Sequence, residues 1–143
     1  MLERSHRLGQ SALILTFIVA PIVSAQDTPE VPPVSIEQFL PIESRTLTVG
    51  SHAPEERATG VVQPFFIVGC DAASLEWVEV NRARLLDLNA FGLVVDAPDV
   101  AAYERLEQAA DGLVIRPVVG DLIAEHLGIT RYPALVTADG IFP

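Results

Sequence analysis

The pattern of apolar and polar residues predicts alternating strands and helices in the second half of the chain. Val61–Gly69 is a near-continuous apolar run, which is typical of a strand buried on both faces. Ala73–Asn89 carries apolar residues on one arc at helical spacing, which predicts a helix. Phe91–Asp96 predicts a second buried strand. Pro98, with Asp99 in the following turn, predicts the start of a second helix.

The remaining sequence predicts a crossing strand, a short helix and a hairpin. Leu113–Val118 predicts a short strand or an extended crossing, and Asp121–Leu127 predicts a short helix that ends at Gly128. Tyr132–Thr137 predicts a strand, and the pair Asp139-Gly140 predicts a tight hairpin turn after it. Strands that alternate with helices usually pair in parallel through right-handed crossovers. The pattern therefore predicts an α/β fold with a mostly parallel central sheet and flanking helices.

The first residues have the features of an export signal. Arg4 and Arg7 precede the apolar run Ala12–Ala20, and Val23-Ser24-Ala25 has the small-x-small pattern that signal peptidase reads. An uncleaved anchor is the alternative, but a membrane-spanning helix needs about 20 apolar residues and this run is shorter. Residues 1–25 therefore predict a cleavable signal peptide, a periplasmic location and no transmembrane span after cleavage.

Residues 26–60 predict an extended, proline-rich arm or linker in front of a folded domain over residues 61–143. The prolines of the chain cluster early, and a proline biases itself and the residue before it away from helix. Within this arm, Ile36–Leu40 is compatible with a short helical turn. Thr46–Val49 alternates and predicts an edge strand.

Composition excludes several classes of function. The chain of 143 residues has a formal net charge of −10, whereas a nucleic-acid binder needs a basic face for the phosphates. We therefore predict no direct contact with nucleic acid. His52 and His126 lack the spacing of metal ligands, and the glycines do not form a phosphate-binding loop. The sequence accordingly predicts no metal site and no cofactor.

Cys70 is the only cysteine, and it lies at the junction of the first predicted strand and helix. A helix N-terminus favours a thiolate, so Cys70 is the one candidate for a reactive group. The alternative is a buried or incidental cysteine. Ala73 stands where a second cysteine would be needed, so an intramolecular dithiol cycle is impossible, and the neighbouring Asp71 opposes thiolate formation. The sequence favours a non-catalytic protein over an enzyme.

The stretch Ala124–Val136 resembles a segment of thioredoxins in which a helix ends at a Gly-Ile pair and a proline opens the next strand. The resemblance implies a thioredoxin-like fold, here truncated at the C-terminus, and a cis peptide bond before Pro133. An ordinary trans proline at a strand start is the alternative. A chain that stops at Pro143 is also expected to leave an open sheet edge where a partner strand could pair.

Longer stretches are similar to a family of uncharacterised integrating conjugative element proteins, which are encoded among type IV secretion genes. These stretches are Pro64–Gly69, Ser74–Trp77, Phe91–Val95 and Gly120–Thr137. The run Gly128–Pro133 also resembles the periplasmic, thioredoxin-like pilus-assembly proteins of F-type conjugation systems. The resemblance covers roughly residues 40 to 143 together with the signal.

The family resemblance implies a periplasmic assembly or interaction component whose partners are proteins of a conjugative secretion apparatus. It implies no established activity and no site residues. The alternative function is a monothiol redox enzyme or thiol-dependent chaperone that acts through Cys70. A small-ligand binder is a third possibility, for which the sequence offers no pocket signature.

Overall fold

A computed structural model describes Ile18 and residues 32–143 of the protein. The predicted signal peptide, residues 1–25, lies outside the described residues except for Ile18, and so does the start of the predicted arm, residues 26–31. Residues Pro33–Pro143 form one compact unit. Among the described residues, no helix is both long and apolar enough to cross a membrane.

The described residues contain every strand and helix that the apolar pattern predicts after residue 61. In chain order the elements are a 3₁₀ helix (Ile36–Phe39), β1 (Thr48–Val49), β2 (Glu55–Glu56), β3 (Phe65–Gly69), α1 (Ala72–Asp87), β4 (Phe91–Asp96), α2 (Val100–Ala109), β5 (Ile115–Pro117), α3 (Asp121–Leu127), β6 (Arg131–Tyr132), β7 (Ala134–Thr137) and β8 (Gly140–Phe142). The single strand predicted over Tyr132–Thr137 is divided at Pro133, which has no N–H for a sheet ladder.

The main sheet has six strands in the order β2-β8-β7-β3-β4-β5, and β1 and β6 form a separate pair. Only β3–β4 and β4–β5 are parallel, whereas β2–β8, β8–β7 and β7–β3 are antiparallel. The expectation of a mostly parallel, thioredoxin-like sheet is therefore wrong, since three of the five pairings are antiparallel. The physical reason is that α1 and α2 provide the two helical crossovers that parallel strands require, while a hairpin joins β7 to β8.

The edge of β8 that was expected to be open is paired with β2. Both outer strands of the main sheet have features that discourage further pairing. β2 consists of two exposed glutamates, Glu55 and Glu56, and short charged strands protect an edge. At the opposite side, β5 ends in Pro117, which lacks a backbone donor.

Helices cover both faces of the main sheet, which explains the continuous apolar run in β3. Successive residues of a strand point to opposite faces, so Phe66 and Val68 lie on one side and Ile67 on the other. The cluster against α1 and α2 includes Phe66, Val68, Val78, Leu85, Val94, Tyr103, Leu106 and Leu135. The cluster on the side of α3 includes Leu47, Ile67, Val95, Ala124, Leu127, Val136 and Ile141.

The part of the predicted arm that the structure describes packs along the sheet. β1 pairs in parallel with β6, and Ile42 forms an antiparallel bridge with Ala97. The hydroxyl of Ser44 donates to the carbonyl oxygen of Val95 at 2.8 Å and accepts from the N–H of Gly120 at 2.8 Å. Leu47 is only 4% exposed. A buried serine therefore connects the arm to β4 and to the start of α3.

We expect Ser44→Ala to lower the free energy of unfolding by about 1–3 kcal/mol, because it leaves the carbonyl of Val95 and the N–H of Gly120 without a partner. Urea denaturation followed by circular dichroism measures the change. Ser51→Ala is the matched control at an exposed position of the same segment, and it should change stability by less than about 0.5 kcal/mol. Equal effects of the two substitutions would contradict this view of the arm.

Candidate functional site

Cys70 lies at the carboxyl end of β3, between that strand and the first turn of α1. Its N–H donates to the carbonyl oxygen of Asp96 at 2.9 Å, which ties it to the end of the neighbouring strand β4. The cysteine is unpaired and partly exposed. The candidate thiol therefore sits where two parallel strands end side by side, a usual location for sites in α/β sheets.

Asp71 holds the junction of β3 and α1 in place. One carboxylate oxygen accepts from the N–H of Ser74 at 2.8 Å, and the other accepts from the Ser74 hydroxyl at 2.9 Å. The same hydroxyl oxygen accepts from the N–H of Gly69 at 3.0 Å. Asp71 is thus the N-cap of α1, a role for which aspartate is strongly preferred, and Ser74 is fully buried.

Gly69 is required by close packing at this junction. A Cβ atom built on Gly69 would lie 2.7 Å from a carboxylate oxygen of Asp71 and 2.8 Å from the ring of Tyr132. Real Cβ atoms do not approach other heavy atoms so closely, so both side chains use space that only glycine leaves free. Tyr132 precedes Pro133, and the structure thereby brings Cys70 and Pro133 to the same end of the sheet.

Burial, followed by the carboxylates of Asp96 and Asp71, raises the pKa of the Cys70 thiol from 9.0 to about 12. Asp99 acts in the same direction, and only Arg105 favours the thiolate. The N-terminus of α1, which was expected to favour a thiolate, is outweighed by desolvation and by like charge. At neutral pH the group is therefore a neutral thiol, which is a poor nucleophile.

The same surroundings raise the pKa values of two neighbouring side chains, Asp96 and Tyr132. Burial raises the pKa of Asp96, and the nearby carboxylates of Asp71 and Glu43 raise it further. Burial also raises the pKa of Tyr132 to about 12, with Asp96 and Asp71 adding to the effect. The end of the sheet around Cys70 thus carries a concentration of negative charge.

Pro133 is preceded by a cis peptide bond, and its surroundings are apolar. It borders a pocket of about 290 Å³ together with residues of β1, of the segment that follows β1 and of α1. The lining residues are Val49, Gly50, Ser51, His52, Ala73, Trp77, Pro133 and Pro143. This group is called the Trp77 surface below. Val49 is 42% exposed there, so part of the surface is open to solvent.

Sequence reasoning identified Cys70 and Pro133 but missed most of their surroundings. Asp96 lies at the carboxyl end of a predicted strand next to that of Cys70, and this shared edge was a signal that could have located it. The contacts of Tyr132 and His52 had no comparable signal, because they depend on tertiary packing. His126 lies exposed on α3 and borders a different pocket from His52. Within the described residues, no group of three or more His, Cys, Asp or Glu side chains could hold a metal ion.

Fold and site together define a mixed α/β protein with one neutral thiol at the end of its central strands. A family model described as a protein of unknown function, DUF2859, matches residues 19–141. The chain belongs to this family. Comparisons with curated proteins and with solved structures found no match.

We expect wild-type protein to lose stability at alkaline pH partly through Cys70. Because the folded-state pKa lies above the value of 9.0 for a free thiol, this contribution is complete below pH 9 and is lost as pH rises toward 12. Cys70→Ala removes the titrating group. Between about pH 8 and pH 10.5 the variant should lose about 1 kcal/mol less than wild type, after allowance for solvent screening at a partly exposed group.

Urea unfolding at a series of pH values measures this difference. Tyr103 and Tyr132 also have pKa values raised to about 12. Because both tyrosines remain in the variant, their contribution to the loss of stability cancels in the difference between the two proteins. Parallel stability curves for wild type and Cys70→Ala would show that the thiol is not held in its neutral form.

Proposed function

We propose that this protein is a periplasmic assembly or interaction component of a conjugative type IV secretion system and that it acts by contact, not by catalysis. The link to conjugation rests on the resemblance of its sequence to integrating conjugative element proteins. The periplasmic location rests on the signal-like pattern of residues 1–25. The non-catalytic role rests on one observation, the setting of Cys70.

The alternative, a monothiol redox enzyme or thiol-dependent chaperone, needs a thiolate at neutral pH. A reactive cysteine normally lies in electropositive surroundings that lower its pKa. Cys70 instead faces Asp71, Asp96 and Asp99, and its pKa is raised to about 12. This setting disfavours the alternative, because the neutral thiol would attack a disulfide only slowly.

The Trp77 surface offers another protein an apolar contact site beside Cys70. The ring of Trp77 packs at a tilt against the ring of Phe66, with 6.0 Å between the ring centres. This contact with the core holds the indole in place. Val49, Ala73, Pro133 and Pro143 surround it. Partly exposed aromatic side chains on a firmly packed base are typical of protein contact sites.

Charge near this surface specifies the chemistry of the partner. Asp71 caps the helix whose first turn contributes Ala73 to the Trp77 surface. Glu43, Asp96 and Asp99 add negative charge around the adjacent Cys70. A partner segment that fits would place apolar side chains against Trp77 and basic side chains toward Asp71, since complementary charge guides association.

Conjugative transfer frequency from donor cells tests the proposal. We expect deletion of the gene to abolish transfer, and both wild type and Cys70→Ala to restore it. We expect Val49→Glu to lower transfer by about tenfold or more, because a charge buried at an apolar contact is costly. Val80→Glu, at a valine of α1 that is 76% exposed, is the matched control and should behave as wild type.

Three results would contradict parts of the proposal separately. Normal transfer in the deletion strain would refute a required role in conjugation. A Cys70→Ala strain that resembles the deletion, with the protein still present, would favour the thiol alternative. Equal transfer with Val49→Glu and wild type would show that the Trp77 surface is not the contact site. Immunoblots confirm that each variant is present at the wild-type level.

A further inference from the structure

A cavity of about 400 Å³ lies between the arm, α2 and β5, and the proposed function makes no use of it. Its volume falls within the range of small-molecule sites, roughly 300–1,000 Å³. It shares no lining residue with the Trp77 surface. We call this cavity the Tyr103 pocket. Its lining residues are Val34, Ile36, Phe39, Tyr103, Glu107, Ile115, Arg116 and Pro117.

The fold holds the walls of the Tyr103 pocket in place. α2 is anchored by the fully buried Leu106, and β5 is paired with β4. The arm is fixed on either side of Phe39. Ile36 packs against the core cluster on the side of α1 and α2, and Ile42 exchanges two backbone hydrogen bonds with Ala97, at 3.0 and 2.9 Å. The pocket is therefore formed in the protein alone, as small-molecule sites usually are.

The side chain of Tyr103 is buried, but its hydroxyl group has no protein partner among the described residues. Tyr103 is 3% exposed, and the hydroxyl of a buried tyrosine usually has a hydrogen-bond partner. Every completely enclosed side-chain nitrogen or oxygen of the described residues has such a partner. The Tyr103 hydroxyl therefore reaches open space, and the space that this side chain borders is the pocket.

Two opposite charges line the pocket on either side of Tyr103. Glu107 follows Tyr103 by one turn on the same face of α2, and Arg116 belongs to β5. The ion pairs of the described residues join other side chains, so Glu107 and Arg116 do not pair with each other. Burial and then Glu107 raise the pKa of Tyr103, and Arg116 lowers it. The phenol thus lies in the field of both charges.

We propose that the Tyr103 pocket binds a small zwitterion with an apolar side chain, of which a free apolar amino acid is the simplest example. The ligand carboxylate pairs with Arg116 and accepts from the Tyr103 hydroxyl, which is a donor in its neutral form. The ligand ammonium group faces Glu107, and the apolar side chain lies against Phe39 and Ile115. A purely apolar ligand would leave the hydroxyl without a partner, and a simple anion or cation would leave one of the two charges unmatched.

Titration of the ¹⁵N-labelled full-length protein with L-phenylalanine and with L-leucine, followed by NMR, tests the site. We expect saturable shifts of the Ile115 and Arg116 backbone amides, while the Gly50 amide at the Trp77 surface stays unchanged. Absence of saturable shifts with both amino acids would overturn the proposal.

Two analogues of L-phenylalanine test the use of both charges on the wild-type protein. 3-Phenylpropanoate lacks the ammonium group, and phenethylamine lacks the carboxylate. Each should bind about tenfold more weakly than L-phenylalanine, because hydrogen bonds between charged groups are the strong ones. Equal binding of L-phenylalanine and either analogue would overturn the proposal.

Variants assign the binding to the named side chains. Tyr103→Phe keeps the ring in the core and removes only the hydroxyl, so it should weaken binding about three- to tenfold, the effect of one hydrogen bond. Arg116→Gln and Glu107→Gln should each weaken it about tenfold. Glu104→Gln, at an exposed position of α2 outside the pocket, is the matched control and should bind as wild type does.

Wild-type affinity in Tyr103→Phe or in Arg116→Gln would overturn the proposal. The analogues need only the wild-type protein, so they decide the question if a variant does not fold. None of these measurements involves conjugation, and failure of the proposed function would leave their results unaffected.

Discussion

The carboxylate of Asp71 makes the contacts on which the geometry of the site depends. It caps α1 through the N–H of Ser74 and fixes the Ser74 hydroxyl, which in turn accepts from the N–H of Gly69 at the end of β3. Tyr132 packs over the same glycine. A single side chain thereby connects the end of the central strand to the first turn of the first helix. The position of Cys70 follows from this arrangement.

The same arrangement determines the chemistry of Cys70. Two features favour a thiolate, the N-terminus of α1 and Arg105, and three carboxylates with partial burial oppose it. Desolvation and like charge dominate, because the charged form loses hydration and faces negative neighbours. A protein that used this cysteine as a nucleophile would need the opposite balance. The end of the sheet is therefore better suited to support a rigid contact surface, the adjacent Trp77 surface, than to perform thiol chemistry.

The sequence predicted the elements far better than it predicted their arrangement. The strong apolar run of β3 and the helical periodicity of α1 located both elements to within a few residues. A strand buried on both faces and a helix with one apolar face each produce a recognisable pattern of apolar residues in the sequence. β2 produces no such pattern, since it is a pair of exposed glutamates. It exists because the chain is anchored on either side by buried residues such as Leu47. The Asp139-Gly140 turn predicted the β7–β8 hairpin, but local patterns do not reveal that β7 pairs antiparallel with β3 or that β2 adds a further antiparallel strand.

The sequence predicted only those residues of the site that stand out by residue type, because it does not show which residues folding brings together. Cys70 and Pro133 have residue types that attract attention in a sequence, and they lie near each other in the structure. Asp96 and His52 have common residue types, and their importance comes from a carbonyl or thiol that folding brings to them. Sequence reasoning could have found Asp96 by comparing the ends of neighbouring strands. It could not have found His52, whose partner Pro133 is distant in the chain.

The rate at which iodoacetamide alkylates Cys70 in the folded chain, measured as a function of pH, tests the central claim most directly. The urea-unfolded chain supplies the reference, because its thiol should titrate near the free-thiol value of 9.0. The account predicts that the folded protein reacts far more slowly than this reference at neutral pH, with a rate that still rises above about pH 10. A folded-state rate that levels off at or below about pH 8.5 would contradict the account, since it would show a thiolate available for catalysis.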